Sequence, residues 1–284
     1  MNENKNKITR RKVGLAFGGG GAKSFAHIGV VNVLKENNIP IDFLATCSSG
    51  SMMGALIANE VPTIDIRKKF SETLKRVSWF KPTISKKAIF SQRNIQSIVV
   101  DLCGDINIED LKMPMNIITT NLNTGKLKGF ESGNLKDAVT ASSAFPGIYK
   151  PVKIGEDYYV DGGLLDSIPA DVCREFVGDD GIVISISLDG QLSRKIDKIN
   201  IFSMMYRAIY IPLINNREKT IFENSDVIIK VFNHQEFNFK NWREIFRFYS
   251  IAKTDEFIRL GEEAAREHLD EIKQLLGIER DKAS

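Results

Sequence analysis

The chain has 284 residues, of which 43% are apolar and 26% charged. That apolar fraction excludes a disordered chain, and no window of about 18 uncharged apolar residues is present to cross a bilayer. The net charge of +3 gathers at one end, with +4 in residues 1–12 and −1 in the remaining 272. A neutral body of this kind lacks the basic face that a nucleic-acid groove needs.

Met1-Asn-Glu-Asn-Lys-Asn-Lys has no apolar stretch of the kind a secretory leader requires. A cytoplasmic protein is therefore expected, with residues 1–12 as a solvated basic tail or a contact to the inner face of a membrane. Cys47, Cys103 and Cys173 are too scattered for a disulfide framework or a zinc site. Neither a metal nor a cofactor is expected.

Val13–Gly18 is a short apolar run that reads as a buried strand. It leads into Gly18-Gly19-Gly20-Gly21. From Lys23 to Glu36 the residues Phe25, Ala26, Val30, Val33 and Leu34 recur at helical spacing, and Asn37-Asn38-Ile39-Pro40 ends the helix. Phe43–Cys47 reads as a second strand and Ser49–Asn59 as a second helix. This βαβα pattern predicts a three-layer α/β/α fold with a mostly parallel central sheet. Further on, residues 63–80 look helical, and residues 79–93 mix aromatics with lysines. Met115–Thr120, Gly181–Leu188 and Asp226–Val231 read as strands. Tyr158–Val160 is a short strand ahead of Asp161-Gly162-Gly163, and Asp255–Leu276 is a charged amphipathic helix. The expected organisation is one main body over 13–190, with 191–284 packing on it.

Thr46-Cys47-Ser48-Ser49-Gly50 lies between a strand and a small-residue helix. Acyl hydrolases place a nucleophilic serine in such a turn, where the hydroxyl clears the sheet and the helix N-terminus favours developing negative charge. Taken alone, Ser48, Ser49 and Ser51 also read as helix caps. The four glycines allow backbone N–H groups to turn toward an anion. A nucleotide P-loop would use Lys23-Ser24 but needs glycines where Phe17 and Ala22 stand. A dinucleotide fingerprint fails at Ser24 and lacks an acidic residue after the second strand. An oxyanion hole fits, because a nucleophile candidate ends the neighbouring strand. Lys23 then either steadies the loop or meets a substrate phosphate. The candidates for a base are His27, His234, His268 and Asp161. His27 reads as packed and His268 as solvent-facing, and His234 has unremarkable neighbours. Asp161 is better placed, since its two glycines allow a sharp turn, although Asp-Gly-Gly alone also reads as a hairpin turn. A buried carboxylate can take a serine proton directly.

These pieces, in this order, resemble the patatin-like phospholipase family, particularly its bacterial members. The resemblance is carried by residues 18–30, 47–51, Thr-Asn-Leu-Asn-Thr-Gly (120–125), Ala-Ser-Ser-Ala-Phe-Pro-Gly (141–147) and residues 160–169. It implies a Ser–Asp dyad without a catalytic histidine, with Ser48 as nucleophile and Asp161 as base. It also implies an oxyanion loop at Gly19, Gly20 and Gly21, supported by turns at Gly50, Gly162 and Gly163. The implied substrate is a lipid ester, and the implied fold agrees with the βαβα pattern. Three positions depart from the family pattern: Thr46 stands for Gly, Lys23 for Arg and Ser24 for Gly. Thr46 leaves open a weak or inactive lipid-binding protein, since a small displacement of the elbow is costly. The 79–93 stretch and the apolar run 204–214 are candidate contacts with a lipid surface.

Overall fold

The computed structural model describes residues 10–76, 92–188, 191–192, 199, 201–232, 236–237 and 253–278. In chain order the elements are β1 (Val13–Phe17), α1 (Phe25–Glu36), β2 (Phe43–Cys47), α2 (Ser49–Ala58), α3 (Thr63–Arg76) and α4 (Arg93–Cys103). They continue with β3 (Met115–Asn121), β4 (Leu127–Phe130), α5 (Leu135–Ser142), β5 (Val152–Ile154), β6 (Asp157–Asp161), α6 (Ala170–Val177) and β7 (Ile182–Ser187). The last are β8 (Gln191–Leu192), α7 (Ile201–Asn224), β9 (Val227–Lys230), β10 (Glu236–Phe237), α8 (Thr254–Glu267) and α9 (Leu269–Leu276).

The main sheet follows the hydrogen-bonded path β5-β6-β3-β2-β1-β7-β9, with β4 also on β3, while β8 and β10 form a separate pair. Strands β3, β2, β1, β7 and β9 are parallel, and β4, β5 and β6 are antiparallel additions. The parallel strands are apolar on both faces, as burial between two helical layers requires. Val13, Leu15 and Phe17 of β1, Leu44 of β2 and Ile184 and Ile186 of β7 enter one core with α1, α2, α4 and α5. Ala16, Phe43, Ala45 and Val183 point the other way, to Cys173 and Val177 of α6 and Ile221 of α7. The alternation follows from the two-residue period of a strand.

The strands expected over 13–18, 43–47, 115–120, 158–160, 181–188 and 226–231 are present within a residue or two. Two readings are corrected. The C-terminal helix is two helices, since His268 (φ −100, ψ 1) ends α8 and caps α9, with no glycine or proline to mark the break. Residues 10–12 belong to the folded body rather than to a solvated tail. Arg10 pairs with Asp42, and Arg11 donates to the carbonyls of Asp180 and Leu275. The expected helix over 63–80 is described to Arg76, and most of the 79–93 stretch lies outside the described residues, as does His234.

α8 crosses α1 at a pair of glycines. A Cβ on Gly29 would meet the Ile258 carbonyl oxygen, and one on Gly261 would meet that of Ala26. The helices pack backbone to backbone, so neither position has room for a methyl. Gly to Ala inside a helix ordinarily stabilises by about 1 kcal/mol. Gly261→Ala should reverse that sign and cost about 1–3 kcal/mol through overpacking, read as a lower midpoint in urea unfolding.

Candidate active site

The register of β3 brings the two key side chains together. β2 and β4 both pair with Ile117 and Ile118, so they flank opposite edges of β3. β4 and β6 both pair with Thr119 and Thr120, so β6 lies on the edge that β2 occupies lower down. Cys47, the last residue of β2, pairs with Ile118, and Asp161, the last residue of β6, pairs with Thr119. The two strands therefore run toward each other and stop one residue apart. Gly162 makes the exit from β6 possible, because a Cβ there would strike the Ile118 carbonyl.

Ser48 follows β2 with φ 54 and ψ −132. This is a costly conformation for a residue with a Cβ, worth about 1–3 kcal/mol, and it is held by its surroundings. The Ser48 N–H donates to Ser142 Oγ at 2.8 Å, and Ser142 Oγ donates to the Ile118 carbonyl at 2.7 Å. Gly50 lets α2 start against β1, since a Cβ would lie 2.6 Å from the Gly18 oxygen. The Ser48 hydroxyl is thereby aimed at Asp161 and donates to its Oδ2 at 2.7 Å.

Asp161 is 3% exposed. Burial pushes its carboxyl up to about 6, against the opposing effect of hydrogen bonds from Ser48, the Gly163 N–H and the Cys47 thiol. The Gly163 N–H donates to Oδ1 at 2.8 Å, and the Cys47 Sγ lies 3.8 Å from the same oxygen. Asp166, further along the same turn, is also raised, by burial and by the Asp171 carboxylate. It does not line the cleft described next.

The glycine loop lies across from the elbow. Gly19 passes so close that a Cβ on it would be 2.9 Å from Ser48 Cβ. The Gly20 N–H donates to Ser49 Oγ at 3.0 Å and so is engaged. The N–H groups of Gly19 and Gly21 have no protein acceptor among the described residues, and both residues are half-buried beside Ser48. An apolar cleft opens from Ser48 between α1, α2, α3 and α4. It is lined by Phe25, Met52, Met53, Phe70, Ile95 and Tyr149 and has a cavity volume of about 50 Å³.

Of the residues read from sequence, Ser48, Asp161, Gly19, Gly21, Gly162 and Gly163 come together around this point, and Gly50 supports the elbow. Lys23 does not line the cleft. Its ammonium is buried over the Phe232 ring, 4.4 Å from the centroid. Neither His27 nor His268 is bonded to Ser48 or Asp161: His27 bonds the Gly18 carbonyl and His268 faces Glu271. Among the described residues, no group of three or more His, Cys, Asp or Glu side chains could hold a metal ion.

A family model described as patatin-like phospholipase matches residues 15–174. The chain belongs to the patatin-like phospholipase family. Neuropathy target esterase sws of Drosophila melanogaster is 33% identical over 172 residues, which are 58% of this chain and 12% of that protein. An NTE family protein of Mycobacterium bovis is 32% identical over 182 residues, 63% of this chain and 49% of the relative. The match thus spans about half the length of the mycobacterial protein and far less of the fly protein. The crystal structure of VipD from Legionella pneumophila superposes with a TM-score of 0.58 at 14% identity, covering 93% of this chain and 67% of that one. The fold is shared.

Each of the three departures from the patatin-like pattern has a local counterpart. The Thr46 methyl fits because Gly54 lies opposite, where a Cβ would be 2.7 Å from it, and Thr46 Oγ1 donates to the Asn116 carbonyl at 3.1 Å. Ser24 Oγ donates to Ser49 Oγ at 2.5 Å, which ties the loop to the elbow. Lys23 uses an aromatic face instead of a guanidinium fork. These engagements also leave a nucleotide P-loop without its lysine and serine. Ser49 was read from sequence only as a helix cap, and Ser142 and Gly54 were not singled out. Ser142 lies within the quoted 141–147 motif, and Gly54 could have been found by asking what faces Thr46 one helical turn on.

Because Thr46 is fully buried and bonded, substituting the glycine usual in the family should not improve this protein. Thr46→Gly should destabilise it by about 1–3 kcal/mol, through the cavity, the lost hydrogen bond and a flexible strand residue. A guanidinium melt followed by circular dichroism reads the change.

Proposed function

We propose that this chain is a serine acyl hydrolase that cleaves fatty-acyl esters of lipids, as a phospholipase, lysophospholipase or lipid esterase. The observation that carries the reading is the 2.7 Å hydrogen bond from Ser48 Oγ to the buried Asp161 carboxylate at the mouth of an apolar cleft. The family description names a phospholipase and the fly relative an esterase, which supports an ester as substrate.

The steps follow from the groups present. Ionised Asp161 accepts the Ser48 proton as Oγ attacks the ester carbonyl carbon. The oxyanion forms where the Gly19 and Gly21 N–H groups are free to donate, while Gly20 holds the loop through Ser49. Losing one such donor typically costs about 3 kcal/mol in rate. The tetrahedral intermediate collapses, and the departing alkoxide takes the proton from Asp161. Water then attacks the acyl-enzyme with Asp161 as base, and the fatty acid and free Ser48 are restored. A carboxyl at about 6 suits this work better than one at the ordinary value, because it remains ionised at neutral pH yet holds a proton more firmly. The cleft residues supply an apolar lining for the acyl chain.

A lipid surface is the second element of the reading. α7 packs on α6 and touches the Gly162–Leu164 turn that follows Asp161. Its first half exposes Ile201, Met204, Met205 and Ile211, and Arg207 is the one charged residue between 201 and 216. This suits an anionic bilayer surface. Among the described residues no helix is long and apolar enough to span a membrane.

Ester hydrolysis, labelling, a pH profile and vesicle binding test these statements. Ser48→Ala and Asp161→Asn should lose ester hydrolysis by at least about a thousandfold, and Ser48→Ala should lose fluorophosphonate labelling. The wild-type kcat/KM should rise with pH about a midpoint near 6, because only ionised Asp161 accepts the proton. Undiminished labelling of Ser48→Ala, or a profile flat between pH 5 and 7, contradicts the assignment. Separately, a Met204→Glu/Met205→Glu double variant should bind phosphatidylglycerol vesicles at least about tenfold more weakly in co-sedimentation. It should retain its activity on a soluble nitrophenyl ester. Equal binding ends the α7 proposal.

A further inference from the structure

His27 is fully buried, and no step of the hydrolysis uses it. Its ring stacks on Phe17 with centroids 4.2 Å apart and planes 6° from parallel. Its Nε2 lies 2.9 Å from the Gly18 carbonyl oxygen. That oxygen can only accept, so Nε2 carries the hydrogen. Nδ1 is buried without a hydrogen-bond partner, as befits the unprotonated nitrogen of a neutral ring. Burial holds the ring neutral, with its pKa lowered to about 4.

The Gly18 carbonyl is one end of the peptide unit whose other end is the Gly19 N–H. In a planar trans peptide these two groups point in opposite directions. The carbonyl is held between His27 and the start of α2, where a Cβ on Gly50 would be 2.6 Å from it. With the oxygen turned toward His27, the Gly19 N–H points away from it, and Gly19 itself lies against Ser48. Glycine on both sides of this peptide bond leaves it free to flip in the absence of such a clamp.

We propose that His27 is a positioning residue for acyl transfer: by donating from Nε2 to the Gly18 carbonyl, it fixes the Gly18–Gly19 peptide so that the Gly19 N–H meets the oxyanion. The inference rests on the acyl-hydrolase reading above and adds to it a residue outside the dyad and the loop.

The test compares wild type with His27→Gln, His27→Asn and His27→Leu. Gln carries an amide nitrogen near the place of Nε2, whereas Asn stops short of it and Leu has no donor. Hydrolysis of a nitrophenyl ester gives kcat and KM. An alkyl trifluoromethyl ketone, which forms a tetrahedral oxyanion with the serine, is compared with a non-hydrolysable ether analogue, which forms none. In Asn and Leu, kcat and trifluoromethyl ketone affinity should each fall about a hundredfold, with KM and ether-analogue affinity within about twofold of wild type. Gln should keep kcat within about threefold of wild type. If Leu does not fold by circular dichroism, the Gln/Asn pair decides, since both place an uncharged amide in the same site. Equal kcat in Gln and Asn, or folded Asn and Leu variants at wild-type kcat, overturns the inference. So does a parallel loss of ether-analogue binding, which marks a general structural role. A wild type that neither hydrolyses ester nor reacts with fluorophosphonate defeats the acyl-hydrolase reading itself, which an active wild type keeps intact.

Discussion

The structure depends on a single edge of β3 being shared by two strands that approach from opposite ends. β2 arrives parallel and stops at Cys47, and β6 arrives antiparallel and stops at Asp161. Neither can extend further without colliding with the other, so both chains must leave the sheet within a residue. One leaves through the strained backbone of Ser48 and the other through the turn at Gly162-Gly163. The Ser48–Asp161 hydrogen bond follows from this arrangement, as does the burial that raises the carboxyl, because the meeting point lies inside the sheet and beneath α5. Ser142 fills the gap where neither strand completes the ladder, satisfying the Ser48 N–H and the Ile118 carbonyl with one hydroxyl.

The glycine loop and the elbow form one hydrogen-bonded unit. Ser49 Oγ receives the Gly20 N–H and the Ser24 hydroxyl, and the Gly18 carbonyl is wedged between Gly50 and His27. A loop of four glycines would otherwise have many conformations of similar energy. Here its successive peptide units are tied down through the Gly18 carbonyl, the Gly20 N–H and the Gly20 carbonyl, while the N–H groups of Gly19 and Gly21 have no protein acceptor among the described residues. The departures at Thr46 and Ser24 are part of this same scaffold, which is why they coexist with a well-formed Ser–Asp contact.

Much of the fold was legible because it rests on local signals. Buried parallel strands read as short apolar runs, α1 and α2 as periodic stretches, and the loop as consecutive glycines. Ser48 and Asp161 could be named because each ends a strand beside small residues. Their pairing across 113 positions was suggested only by the order of motifs, since register on β3 is a long-range property that no local window contains. The same limit hid the break at His268, where packing rather than a helix-breaking residue ends α8. It also hid the fate of Lys23, which depends on Phe232, more than 200 positions away along the chain. Arg10 and Arg11 looked like a loose tail because their partners, Asp42 and three distant carbonyls, are far from them in sequence.

Arg11 has a consequence for the order in which the protein assembles. Its guanidinium reaches the carbonyl of Leu275, 264 positions away, and those of Asp180 and Gly181. The segment ahead of β1 therefore receives one of its fastenings from a residue translated 264 positions later. Before α9 is translated, this end of the central strand is held by its sheet neighbours, by Asp42 and by the Asp180 and Gly181 carbonyls, and the clasp to Leu275 closes afterwards. Long-range closure of this kind slows the last stage of folding and leaves the nascent chain exposed to chaperones or proteases while it waits.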